Sequence, residues 1–317
     1  MKYEEILLDE VIKWDTQRFN LIFKNPIIFL CGGDITSIEN EEVKYYSSLR
    51  SYLIDFAKFV KPEIEIRTAE DFKDYLLAYD NLLEFESDIA SISDLVVIIL
   101  ESPGALIELG IFIENKNIRN KLVAIQHYDF ASEQSFINLG PLKSLKTSSE
   151  SAVLGYNWPF NRKFEHLSQD LLRLICHDIA EHLKSPRTQS TFDIEVGAHL
   201  ILFIYELIRC FYPITDKEIL TALHLIYNNK IIHLKKLKKI LYLLEKFDLV
   251  DKHNLSSEDF FYPLDNAISK VKLSYLPSQE GKKPVIFEYS TLRVGLAAKI
   301  QSDPKRVIAL KEIMGIS

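Results

Sequence analysis

The chain has 317 residues, is 47% hydrophobic and 26% charged, and carries a net charge of −7. That composition describes an ordinary globular protein of about two domains and excludes disordered, collagen-like and disulfide-stapled classes. Three widely spaced cysteines, Cys31, Cys176 and Cys210, form neither a metal-ligand nor a disulfide pattern, so a reducing, cytoplasmic setting is expected.

The acidic start MKYEEILLDE has no signal-peptide apolar core, and residues 1–24 read as an amphipathic helix through Ile6, Leu7, Val11, Ile12 and Trp14. PIIFLCGGD (26–34) reads as a buried strand that ends in a glycine turn. Residues 40–60 read as helix, EIEIR (63–67) as a second strand, and residues 70–93 as one long helical stretch with room for a break. DLVVIIL (94–100) is apolar and β-branched throughout, as a strand covered on both faces should be. A helix over 103–117, a strand KLVAIQ (121–126), a loop with SFINLGP (135–141) and an amphipathic helix over 162–184 follow. Strands alternating with helices predict an α/β fold with a Rossmann-like parallel sheet, here over residues 1–185.

SPRTQST (185–191) reads as a linker. Residues 192–317 are predicted as a mainly helical, winged-helix-like domain, with helices at 193–211, 215–228 and 234–247 and β-like pieces at 247–253 and 284–290. Thr215 and Glu218 have capping-box spacing. The apolar run VGAHLILFIYELI (196–208) is too short to span a membrane and contains His199 and Glu206, so it reads as a buried helix. Residues 1–100 hold 20 acidic and 10 basic side chains, against 25 and 28 in the rest, which permits a polyanionic partner for the C-terminal part.

ESPGALIELG (101–110) carries the chemistry. Ser102 suits a helix N-cap, Pro103 its first position, and Gly104 removes bulk there. If strands 26–31 and 94–100 are parallel, the CGGD turn (Cys31, Gly32, Gly33, Asp34) and the Glu101–Ser102–Gly104 turn share the crevice at the strand ends. Loop N–H groups and a helix N-terminus there favour an anion. Glu108 lies one and a half turns into the helix among apolar neighbours, where a carboxylate is costly without a partner. The alternative is a solvated stripe, since Glu101, Glu108 and Asn115 are seven apart. Gly110 would let a flat group approach the backbone. Asp34 could bond a ribose hydroxyl or cap a helix.

DLVVIILESPGALIELG (94–110) is similar to the active-site signature of nucleoside deoxyribosyltransferase-like proteins. IFLCGGD, EDFKDYLL, ESPGALIELG, NKLVAIQ and SFINLGP together resemble the effector proteins of bacterial retrons. The resemblance implies a toxin in anti-phage defence that cleaves an N-glycosidic bond, with Glu108 attacking or stabilising C1′ of a ribose. It implies NAD as substrate and the retron reverse transcriptase with its branched DNA–RNA product (msDNA) as partners. It also implies a dimer or larger assembly, because related transferases complete their sites across subunits. Nicotinamide already departs from a cationic nitrogen, so a single carboxylate would suffice for NAD, and Glu108 is the one well-placed candidate in the sequence.

Further residues have competing readings. Asp71 and Asp74 could match the base-binding aspartate of the transferases or face solvent. Asn138 could reach the pocket from its loop, and His127 could be an acid or a structural residue. KIIHLKKLKK (230–239) offers Lys230, Lys235, Lys236, Lys238 and Lys239 either as a solvated face or as phosphate contacts. No cofactor and no metal site is expected. The rival functions are a nucleoside deoxyribosyltransferase or hydrolase, a nucleotide sensor without turnover, and a DNA-binding regulator.

Overall fold

The computed structural model describes residues 3–22, 26–39, 44–60, 64–160, 162–184, 192–193, 196–227, 232–264, 268–277 and 286–315. The chain divides into two compact units. One comprises residues 25–76 and 80–187; the other comprises 1–24, 77–79 and 188–317. The expected linker at 185–191 lies outside the described residues.

The first unit is built on five parallel strands. Their spatial order is Glu65–Arg67, Ile27–Cys31, Leu95–Ile99, Leu122–His127, Val153–Tyr156. In chain order this is 2-1-3-4-5, the doubly wound arrangement. The three middle strands are buried at every position, which is why they read as unbroken apolar runs. Alternation assigns their side chains to two faces. Ile28, Leu30, Leu95, Val97 and Ile99 pack with Leu49 and Leu53 of helix Leu49–Val60 and with Leu172 and Ile175 of helix Gln169–Lys184. Phe29 points the other way, its ring 6.3 Å from that of Phe112 on helix Pro103–Glu114.

Several local expectations change. The stretch 70–93 holds single 3₁₀ turns at Ala69–Asp71 and Tyr75–Leu77, and only Leu82–Ile92 is α-helix. Asn81 starts that helix by accepting from Glu84 N at 2.9 Å, a cap that outweighs upstream helical periodicity. Within 40–60, Lys44–Tyr46 pairs with Ser37–Glu39 as a hairpin, and the helix begins only at Leu49. The edge strand Val153–Tyr156 carries no long apolar run and escapes sequence detection.

The N-terminal segment belongs with the second unit and not with a 1–185 domain. Its helix, Tyr3–Val11, buries Tyr3, Leu7 and Val11. Trp14 packs 5.7–6.1 Å from Phe203, Phe211 and Phe287, and Tyr3 donates to Phe211 O at 2.5 Å. Helices Gly197–Phe211, Asp216–Ile226 and Leu234–Lys246 follow in that unit. Strands Ile214–Thr215, Val250–Leu255 and Glu258–Pro263 form a three-stranded antiparallel sheet with Glu258–Pro263 in the middle. The Thr215–Glu218 capping box is formed in both directions. The β-like piece at 284–290 is not a strand in its described part, because helix Tyr289–Ile300 starts inside it. Among the described residues no helix is long and apolar enough to cross a membrane.

Glu206 explains the charge inside the apolar run. It is 0% exposed; Oε1 accepts from Lys270 N at 2.5 Å and Val271 N at 3.1 Å, and Oε2 from Arg209 Nε at 2.7 Å. Glu206→Ala leaves a guanidinium and two amides without their acceptor. It is expected to destabilise the protein by about 3–5 kcal/mol, read as a lower midpoint in chemical denaturation.

Candidate active site

The strand order reverses between Ile27–Cys31 and Leu95–Ile99, and ligands of doubly wound sheets bind at that switch point beyond the carboxyl ends. The register pairs Ile28 with Leu95 and Cys31 with Ile98, so the turns at 32–34 and 100–102 emerge side by side. Ser102 joins them: Oγ donates to Gly32 O at 2.8 Å and accepts from Ala105 N at 3.1 Å, capping helix Pro103–Glu114. Pro103 has no N–H, so Gly104 N–H is left as the first-turn donor for an anion.

Arg50 ties the switch point together. Its side chain is buried, with Nε donating to Leu30 O at 2.9 Å and Nη1 to Gly33 O at 3.1 Å. Both Nη groups also grip Glu70, at 2.9 and 2.5 Å, a bidentate pair. Glu101 completes the clamp, accepting from Gly33 N at 3.2 Å, Leu49 N at 2.8 Å and Arg50 N at 2.9 Å. Burial raises its pKa while these three N–H groups oppose the rise. Its place in the structure is thus the start of helix Leu49–Val60, with the carboxylate occupied by backbone. The glycines serve the same packing. A Cβ on Gly33 would lie 2.8 Å from Ser48 Cβ and 3.0 Å from Glu101 Cγ, and one on Gly32 3.1 Å from Arg50 Cβ and Cδ.

Glu108 turns towards the sheet. Residues 108 and 112 are one helical turn apart, and strand residues 29 and 31 share a face, so the Phe29–Phe112 contact has a next rung at Cys31 and Glu108. The Cys31 thiol lies beside the Glu108 carboxylate and favours its charged form. Glu108 Oε2 is buried and takes no hydrogen bond from any described residue. Burial raises the Glu108 pKa, with Arg50 and the thiol opposing. A solvated Glu101–Glu108–Asn115 stripe is therefore not what forms: Glu101 precedes the helix and Asn115 ends it. Burial, then the neighbouring Glu108, push the Cys31 pKa well up, which favours the thiol over the thiolate.

A second carboxylate stands near Glu108. Glu86, on helix Leu82–Ile92, has a pKa pushed up to about 7 by burial and by the charges of Glu108 and Glu70, with Arg50 opposing. Glu108 is therefore not a solitary candidate. The sequence held a signal for Glu86: Leu82, Leu83, Ile89 and Ala90, at its i±3 and i±4 positions, are all apolar. Arg50 and Glu70 had none, since each sits in a polar stretch.

The remaining candidates have plain local partners. Asp34 is exposed and closes a turn with Thr36, accepting from its N at 3.0 Å and its Oγ1 at 2.6 Å; a strand follows it, so it caps no helix. Those bonds hold its pKa down. Asn138 Nδ2 donates to Phe130 O and Glu133 O, bracing the 130–138 loop. His127 Nδ1 accepts from Asp129 N at 3.2 Å and Nε2 lies 3.0 Å from Trp158 O, so both ring nitrogens have local partners in a structural role. Asp71 caps its own turn through Thr68 N. Nothing lies within 4 Å of a Cβ placed on Gly110. Lys235, Lys236 and Lys238 are exposed on helix Leu234–Lys246, Lys239 sits 5.3 Å from the Tyr79 ring centroid, and Lys230 lies outside the described residues.

Residues 46–252 match the family model described as STM3845 retron effector protein. The match covers well over half of the sequence, and the chain belongs to this retron effector family. Two relatives from Escherichia coli are similar. The "Retron Ec86 putative ribosyltransferase/DNA-binding protein" is 40% identical over 131 residues, 40% of this chain and 39% of that protein. The "Retron Ec73 putative ribosyltransferase/DNA-binding protein" is 24% identical over 279 residues, 80% of this chain and 85% of that protein. The matched span is thus about two fifths of the first relative's length and most of the second's.

Two substitutions test the geometry. Gly33→Ala forces a Cβ against Ser48 and Glu101 and is expected to cost about 1–3 kcal/mol, seen as a lower melting temperature. Glu86→Gln is expected to stabilise, and more at pH 8 than at pH 5. The native carboxyl keeps its proton to about pH 7 while an unfolded one loses it near 4.5, the ordinary glutamate value. Between those values the native state binds more protons, so wild-type stability falls as pH rises, and the glutamine removes that fall.

Proposed function

We propose that the parallel-sheet unit cleaves the N-glycosidic bond of NAD or a related nucleotide, as the toxin of a retron anti-phage system. The buried, unpartnered Oε2 of Glu108 at the switch point carries the reading. A carboxylate beneath C1′ either stabilises the oxocarbenium-like charge or bonds to it. The C1′–N bond breaks, its electron pair leaves with the base, and C1′ takes the Glu108 oxygen and then water. Burial raises the Glu108 pKa, and the Arg50 charge and the Cys31 thiol oppose that rise in favour of the charged form. The ribosyltransferase wording in the names of both relatives supports glycosyl chemistry.

Glu86 favours a second reading for the same site. A neutral base leaves with difficulty unless protonated, and a carboxyl that titrates near 7 can supply the proton. That suits a nucleoside or deoxyribosyl transfer substrate. NAD does not need this proton, because nicotinamide departs neutral.

For the second unit we propose a winged-helix-like module that engages msDNA and the reverse transcriptase. The order helix, strand, two helices and hairpin supports it, as do the exposed Lys235, Lys236 and Lys238 and the DNA-binding wording of the relatives' names. The active assembly is a homo-oligomer or a larger complex in the cytoplasm.

The test uses purified protein with and without its reverse transcriptase and msDNA. NAD and nucleosides are offered, and nicotinamide and free base are followed. Glu108→Gln is expected to lower either release by roughly 10²–10³-fold. On NAD, Glu86→Gln should retain most of the rate. On a neutral nucleoside it should abolish it, and the wild-type rate should fall above about pH 7 as Glu86 deprotonates. Binding of NAD without release of either product, in every state, would leave a sensor and sink the enzyme.

A further inference from the structure

The second unit contains a pocket that the proposed function does not use. Its volume is about 720 Å³, within the range of small-ligand sites. Strand Val271–Lys272, the end of helix Gly197–Phe211 and the start of helix Tyr289–Ile300 border it. Arg18, Arg209 and Lys272 line it, and no carboxylate among the described residues does.

The three cations are held differently. Arg18 and Lys272 are exposed and form no ion pair with a described residue. Arg209 is fixed: its Nε donates to Glu206 at 2.7 Å and its plane lies 4.1 Å from the Tyr289 ring centroid. Its Nη groups make no hydrogen bond with a described residue, so a positioned guanidinium keeps its terminal donors for an incoming acceptor. Glu206 offsets one positive charge while also accepting from Lys270 N and Val271 N. Two positive charges stay uncompensated.

The pocket also has an aromatic wall. The Tyr275 hydroxyl donates to Glu10 at 2.5 Å, Phe287 packs 5.5 Å from Tyr275, and Tyr289 backs Arg209. Cations beside fixed aromatic rings are the elements that bind a phosphate and its base together.

We propose that this pocket binds a phosphate-bearing nucleotide unit, its phosphate on Arg18, Lys272 and Arg209 Nη and its base on the aromatic wall. The same chemistry serves a single-stranded nucleic acid or a free nucleotide. The site depends on neither Glu108 nor the lysines of helix Leu234–Lys246.

The experiment measures anisotropy of a short fluorescein-labelled oligothymidylate on the full-length protein over a salt series, with AMP as competitor. Three proteins are compared: wild type, Arg18→Gln/Lys272→Gln, and Lys235→Gln/Lys236→Gln/Lys238→Gln. The pocket variant is expected to bind roughly tenfold more weakly. It should lower the slope of log affinity against log salt by about 1.4, two contacts at about 0.7 each on a single strand. Displacement by millimolar AMP identifies a free nucleotide as the ligand; the same loss without displacement identifies a strand. Equal binding by wild type and pocket variant, or no binding of either probe by wild type, overturns the proposal. If the double variant melts early, Lys272→Gln alone carries the same expectation at half the slope change. Nicotinamide release, assayed in the same samples, reports on Glu108 separately, so failure of one reading leaves the other standing.

Discussion

A single buried guanidinium organises the switch point. Arg50 donates to the carbonyls of Leu30 and Gly33 at the end of the first strand and holds Glu70 from the turn after the second. Its own N–H binds Glu101 from the end of the third. Three consecutive strand ends are thereby fixed to one residue. An arginine suits this place because its fork serves several acceptors in one plane, which a lysine cannot do. The glycines at 32 and 33 follow from the clamp, since side chains there would collide with Arg50, Glu101 and Ser48.

The clamp also sets the charge state of the site. Glu70, Glu86, Glu101 and Glu108 converge on one cation. Glu101 is compensated by three N–H groups and Glu70 by the bidentate pair, which holds its pKa down against burial. What remains of Arg50's field is shared by Glu108 and Glu86. Burial, and then the like charge of Glu108, raise the Glu86 pKa to about 7. Two carboxyls in different environments thus act on one site, Glu86 titrating near 7, and glycosyl chemistry uses such a pair in separate roles.

Much of this was legible in the sequence because its causes are local. A β-branched run closing on a glycine pair marks a buried strand and its turn, and Ser102–Pro103 marks the helix start that follows. A carboxylate with apolar neighbours at helical spacing points to Glu108, and by the same rule to Glu86. The clamp was not legible, because Arg50, Glu70 and Glu101 meet only through pairing of strands distant in sequence. Glu101 and the glycines therefore read as ligand contacts when the fold uses them as joints. The N-terminal helix falls in the second unit, against the sequence expectation, for a related reason: amphipathicity shows that a face must be covered, and not by which segment.

The acidity of the site bears on its substrate in a way that separates the two readings by one proton. Arg50 is occupied, Gly33 N–H binds Glu101 and Ala105 N–H binds Ser102, so few donors remain for a pyrophosphate close to Glu108. The carboxylates instead favour positive charge at the sugar. A pyridinium ring placed there would lower the Glu86 pKa and strip its proton, leaving two carboxylates to stabilise a cation that needs no acid. A neutral base would leave Glu86 protonated near pH 7 and able to donate. In the proposed reaction, the substrate therefore selects the role of Glu86, and Glu108 has the same role in both.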